Sequence, residues 1–73
     1  MSPEKIKKIR GKITRAIFAT LIGTSEITIW RWETSAAKPE GAALRLLELM
    51  TQYREETLGH LMELTQTDFR KSI

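Results

Sequence analysis

Apolar residues recur at intervals of three and four along most of the chain: Ile6, Ile9 and Ile13; Phe18, Leu21 and Ile22; Ile29 and Trp32; Leu44, Leu47 and Met50; Leu58, Leu61 and Met62. That spacing stacks side chains along one face of a helix. Gly11, Gly23, Pro39, Gly41 and the polar step of Thr51 and Gln52 interrupt the pattern, and glycine, proline and polar clusters are where helices end. The prediction is an all-α fold of five short helices over residues 3–10, 15–22, 26–33, 41–50 and 54–64. Pro3 suits a first helical turn, and Thr14 and Ser25 each stand before a helical run with a hydroxyl able to accept from exposed N–H groups. Ile27 to Trp30 alternate over four residues, which leaves a short strand open as an alternative; the preceding Ser25 and the trailing Glu33 favour helix. No repeat or low-complexity segment interrupts the chain.

Seventy-three residues make a single domain, 1–73, with a core expected over 3–64 and fraying expected over 65–73. A composition of 41% apolar and 29% charged is that of a globular protein. A chain this short buries only about 60% of its unfolded surface, so a second subunit would relieve a thin core. There is no Cys and one His, which removes disulfides, thiolate zinc sites and thiol nucleophiles. A Ser-His-Asp triad would have to use His60 and Asp68, the sole His and the sole Asp, eight residues apart near the C-terminus. No enzyme, cofactor or metal site is expected; His60 reads as an exposed or interface residue. The longest uncharged run, Ala16 to Ser25, is ten residues, too short to span a membrane. The opening residues lack a signal-peptide pattern, so a cytoplasmic protein is expected.

Charge is unevenly placed. Nine Lys and Arg face four Glu up to Arg45, a net +5, whereas the remainder has three against five, a net −2. A basic lead of this kind suits a nucleic-acid binder or a merely solvated face equally well. The basic residues of the first helix, Lys5, Lys7, Lys8, Arg10 and the following Lys12, spread around its axis, so most of them serve solubility. More telling is the short connection Leu21-Ile22-Gly23-Thr24-Ser25-Glu26. A glycine able to take positive φ, followed two residues later by a capping Ser, is the chemistry of a sharp turn between two helices. If Phe18, Ala19 and Ile22 face the core and Ile29 and Trp32 pack on them, the third helix turns Glu26, Ile27, Trp30 and Arg31 outward. Such a face suits a major groove, with thymine methyls for Ile27, guanine for Arg31 and cytosine amino groups for Glu26. A phase shift of one residue would instead put Trp30 in the core.

The ordered set Thr14-Arg15-Ala16-Ile17-Phe18-Ala19, Leu21-Ile22-Gly23-Thr24-Ser25, Thr28-Ile29-Trp30-Arg31-Trp32-Glu33, Lys38-Pro39-Glu40-Gly41 and Leu44-Arg45-Leu46-Leu47 resembles the Cro/phage-repressor helix-turn-helix family. It is closest to the branch of small bacterial antitoxins and regulators, and the likeness covers about residues 9 to 50. The resemblance implies a compact five-helix domain that binds double-stranded DNA as a homodimer on a palindromic operator, usually as a repressor. It implies a phosphate contact for Arg15, base or adjacent phosphate contacts for Ser25, Glu26, Ile27, Thr28 and Arg31, and a backbone contact for Lys38. Trp30 joins this set from the outward face already derived.

Three departures stand out. Ser35 occupies a position where the family carries Gly, so the loop either opens differently or holds a non-glycine at positive φ. The link between helices one and two is about two residues short. The helix-one Arg that pairs with the Glu matching Glu33 falls on Lys8 or Arg10 according to the gap; Arg10 is preferred, because its fork grips a carboxylate with two prongs. The tail from Gln52 to Leu64 is amphipathic, with Leu58, Leu61, Met62 and Tyr53 on one side and Gly59 weakening it. It is expected to pack on the fourth helix or on a second copy. The rival to DNA binding is an antitoxin or interaction module that neutralises a partner protein, a toxin, through Ile27, Trp30 or the tail.

Overall fold

The structure, a computed structural model, describes the backbone of residues 1–71 and the side chains of residues 1–66. Its elements are α1 (Pro3–Arg10), α2 (Arg15–Ile22), α3 (Glu26–Glu33), α4 (Gly41–Gln52) and α5 (Arg54–Lys71). The first three match the predicted spans, and the stretch from Ile27 to Trp30 is helix rather than strand. Each of these three starts on a hydroxyl cap: Ser2 Oγ accepts from Lys5 N–H at 3.2 Å, Thr14 Oγ1 from Ile17 N–H at 3.2 Å, and Ser25 Oγ from Thr28 N–H at 3.1 Å. A side-chain oxygen there satisfies an N–H that has no partner within the helix.

Between α2 and α3 the chain turns on Gly23, which lies in the left-handed region at φ +89°. Its N–H and that of Thr24 both reach the Ala19 carbonyl at 2.9 Å. Gly23, Thr24 and Ser25 alone therefore separate the two helices, which pack against each other.

Every helix contributes to one core. Ile6 and Ile9 of α1, Phe18, Ala19 and Leu21 of α2, Ile29 and Trp32 of α3, Leu47 and Met50 of α4 and Leu58 of α5 are buried, with Ile13, Ile22, Leu46 and Leu61 partly buried around them. In contacts between elements, α3 packs on α1 and α2, while α5 lies against both α2 and α4. Two expected core residues are displaced. Leu44 is only half-buried, because the inward stripe of α4 runs through Ala43, Leu46, Leu47 and Met50. Met62 is 51% exposed: α5 buries Thr57 and Leu58 and turns Leu61 inward, leaving Met62 at the edge of a groove that it shares with Ile17 of α2. Tyr53, expected on the apolar side, is also half-exposed, as the single residue between α4 and α5.

The last two helices run further than predicted. α4 continues through Gln52, and α5 continues to Lys71, seven residues past the predicted end. The Asp68 side chain and residues 72 and 73, which figured in the readings of the tail, lie outside what is described. Arg54 joins the start of α5 to the end of α1, donating from Nε to the Ile9 carbonyl at 2.6 Å and from Nη2 to that of Arg10 at 3.1 Å. These carbonyls have no N–H partner within α1, that of Arg10 accepting also from the Ile13 N–H at 3.3 Å, and a cation at a helix C-terminus is favoured by the helix dipole. Among the described residues no helix is long and apolar enough to cross a membrane.

Candidate nucleic-acid interface

The rotational phase of α3 follows from its two Ile and two Trp residues. Ile29 is fully buried and Trp32 is 5% exposed, whereas Ile27 is 62% and Trp30 50% exposed. Residues two apart on a helix stand on nearly opposite sides, so burial of Ile29 and Trp32 forces Ile27 and Trp30 out. Glu26 and Arg31 are exposed with them, Thr28 is half-buried, and Ser25 is exposed at the helix start. The Ser25 and Thr28 hydroxyls are hydrogen-bonded at 2.8 Å, which fixes the Ser25 side chain over the first turn.

Arg15, at the first position of α2, meets this face. Together with Glu26, Ile27 and Trp30 it lines a shallow open depression of about 240 Å³. The other end of α3 is braced by the following loop. Thr34 Oγ1 donates to the Trp30 carbonyl at 2.9 Å, and the Ala37 N–H donates to the Arg31 carbonyl at 3.2 Å. Ser35 sits at φ +65°, so the residue standing where a glycine was expected holds the left-handed conformation itself. Lys38 is exposed just beyond, while Pro39 is buried. Of the eight site residues read from the sequence, four share the depression, Ser25 and Thr28 pair beside it, and Arg31 and Lys38 stand exposed toward the far end of α3 and in the loop after it.

Beneath the face lies a buried carboxylate. Glu33, 2% exposed, accepts two prongs from Arg10, from Nε to Oε2 at 2.7 Å and from Nη2 to Oε1 at 3.0 Å. The pairing is with Arg10 rather than Lys8. Arg10 also donates from Nη1 to the Ile13 carbonyl at 2.8 Å, so the short link between α1 and α2 is gathered into the same cluster. Arg15 adds a third bond, from Nε to Glu33 Oε1 at 3.0 Å. Burial pushes the Glu33 carboxyl up, but the hydrogen bonds from Arg10 and Arg15 and the attraction of both charges outweigh it and hold the group below the usual glutamate range. The hydrogen bond to Glu33 raises the Arg10 guanidinium against the opposing effect of burial.

Sequence reasoning missed two of these features. It placed Arg15 on phosphate without the bond to Glu33, and it gave Arg54 no role. The capping oxygens and the glycine turn are local signals, whereas Arg54 reaches a carbonyl 45 residues away, for which no local signal exists.

A five-helix domain in which a tight turn joins α2 to α3, and in which α3 leaves a mixed cationic and apolar face open, is of the small helix-turn-helix type. The chain is similar to antitoxin HigA-2 of Vibrio cholerae serotype O1, with 41% identity over 66 residues, covering 88% of this chain and 62% of that protein. It thus spans under two thirds of that relative's length. No family profile matches the chain, and no solved structure matches it.

Proposed function

We propose that this chain is a sequence-specific double-stranded DNA-binding regulator, a repressor of the antitoxin kind, acting as a homodimer on a palindromic operator with one α3 in each of two major grooves about 34 Å apart. The observation that carries the reading is the outward face of α3: Glu26, Ile27, Trp30 and Arg31 stand exposed while Ile29 and Trp32 seal the helix to the core. Arg15, Lys38 and the capped helix starts at Thr14 and Ser25 supply phosphate contacts, and Glu26, Ile27, Thr28 and Arg31 supply base contacts. Exposed apolar side chains on α4, on α5 and between them, Leu49, Met62, Leu64 and Tyr53, are what a second copy would cover.

The test is selection of bound sequences from random duplexes, followed by titration of the recovered site at several salt concentrations. A palindrome is expected. If each subunit neutralises about three phosphates, the log-log salt slope is about −5. Arg31→Ala should cost about 1–3 kcal/mol and relax preference at one base position, whereas Lys38→Ala should weaken all sequences alike. A slope near zero, with no sequence enriched, would contradict the reading.

A second reading is favoured by a separate observation, the similarity to a protein named as an antitoxin. Here the chain neutralises a toxin through Ile27, Trp30 or the tail. Co-purification of a partner protein whose release restores DNA binding would place both activities on one face; a partner bound without effect on DNA would place them apart.

A further inference from the structure

We propose that Glu33 is a positioning residue for Arg15, splitting its guanidinium so that the Nε edge is held inside the protein and the two Nη groups are presented outward to a DNA phosphate. This rests on the reading of α3 and the start of α2 as a DNA-binding surface. Three observations carry it. The Glu33 side chain is fully buried and is held independently of Arg15, since Arg10 grips both carboxylate oxygens and is itself tied to the Ile13 carbonyl. Arg15 spends its Nε on that carboxylate at 3.0 Å. Its side chain nevertheless remains 38% exposed and lines the depression with Glu26, Ile27 and Trp30.

A guanidinium is planar, with five N–H donors in a fixed fork. Fixing Nε therefore fixes the direction of the Nη edge. An exposed arginine lacking such an anchor must lose its rotamer freedom when it meets a phosphate, whereas this one is ordered beforehand. A lysine at the same position keeps the charge, but its three donors radiate from one ammonium on a flexible stem, so a bond to the carboxylate fixes no second, planar edge toward the phosphate. The chemistry thus separates positioning from charge.

The experiment compares Arg15→Lys, Arg15→Ala and the unaltered chain on the selected duplex, each at several salt concentrations and each with its melting temperature. Arg15→Lys is expected to bind at least tenfold more weakly, approaching Arg15→Ala, while keeping the salt slope of the unaltered chain. Arg15→Ala should lose about one unit of slope per subunit. Glu33→Gln, assayed where circular dichroism shows native helix content, should weaken binding in the unaltered background and add nothing to Arg15→Lys. Should it fail to fold, the lysine variant still decides. Binding of Arg15→Lys within twofold of the unaltered chain, or a lowered melting temperature with unchanged affinity in both Arg15 variants, would overturn the proposal and leave the DNA-binding reading intact. Failure of the unaltered chain to bind any duplex at low salt would instead sink that reading, and the proposal with it.

Discussion

Ser35 carries the loop after α3 through φ +65° with a Cβ attached, a conformation that glycine adopts without steric cost. Replacing it with glycine should stabilise the domain by about 1 kcal/mol and raise its melting temperature by about 4–8 °C; a fall would mean that the Ser35 side chain earns its place in some other way. This residue was legible in the sequence only as a departure from the resembling family, which left two conformations open. Trp30 and Trp32 were legible in a different sense: helical phase assigned one outward and one inward, and their exposures of 50% and 5% resolve the one-residue ambiguity. Arg54 was illegible, because its acceptors at Ile9 and Arg10 become neighbours only when the fold brings the start of α5 to the end of α1.

At the scale of elements, Glu33 ties three helices together, since it stands at the end of α3 and binds the end of α1 and the start of α2. Removing one member of a buried pair leaves an uncompensated charge, so Glu33→Gln should cost about 3 kcal/mol at neutral pH. The pH dependence has a definite sign. Because the folded state favours the ionised carboxyl, the stabilisation is fully present above the unfolded-chain value of about 4.3 and is lost as the pH falls through the lower folded value. Urea unfolding between about pH 5 and about pH 3 should therefore show a steeper loss for the unaltered chain than for Glu33→Gln; parallel curves would show that the ion cluster contributes nothing to acid sensitivity. The bounds of α1, α2 and α3 were readable because Pro3 opens α1, Thr14 and Ser25 cap α2 and α3, and α1 and α2 end on a glycine at positive φ; the Ser2 cap of α1 went unread. The joint between α4 and α5 offered no such punctuation: Tyr53 alone separates them, and neither glycine nor proline marks the break. The inward stripe of α4 runs through Ala43, Leu46, Leu47 and Met50 rather than Leu44, because apolar residues at all of these positions leave the helix phase open in the sequence.

For the whole molecule, the thin core and the uneven charge lead to one arrangement. All five helices contribute buried apolar residues to the one core that holds Ile29 and Trp32 of α3, and of the cations in the basic first 45 residues, Arg15 and Arg31 stand at the start of α2 and on α3 itself. The similarity to antitoxin HigA-2 covers most of this chain, so it bears on the domain as a unit rather than on one motif. The most direct measurement is a titration of isotopically labelled protein with a short duplex of the selected sequence, following every backbone amide by nuclear magnetic resonance. The account predicts the largest shifts at Arg15, from Ser25 through Arg31, and at Lys38, with α5 affected only where a second copy meets it. Shifts confined to α4 and α5, or an unchanged α3 at low salt, would contradict it.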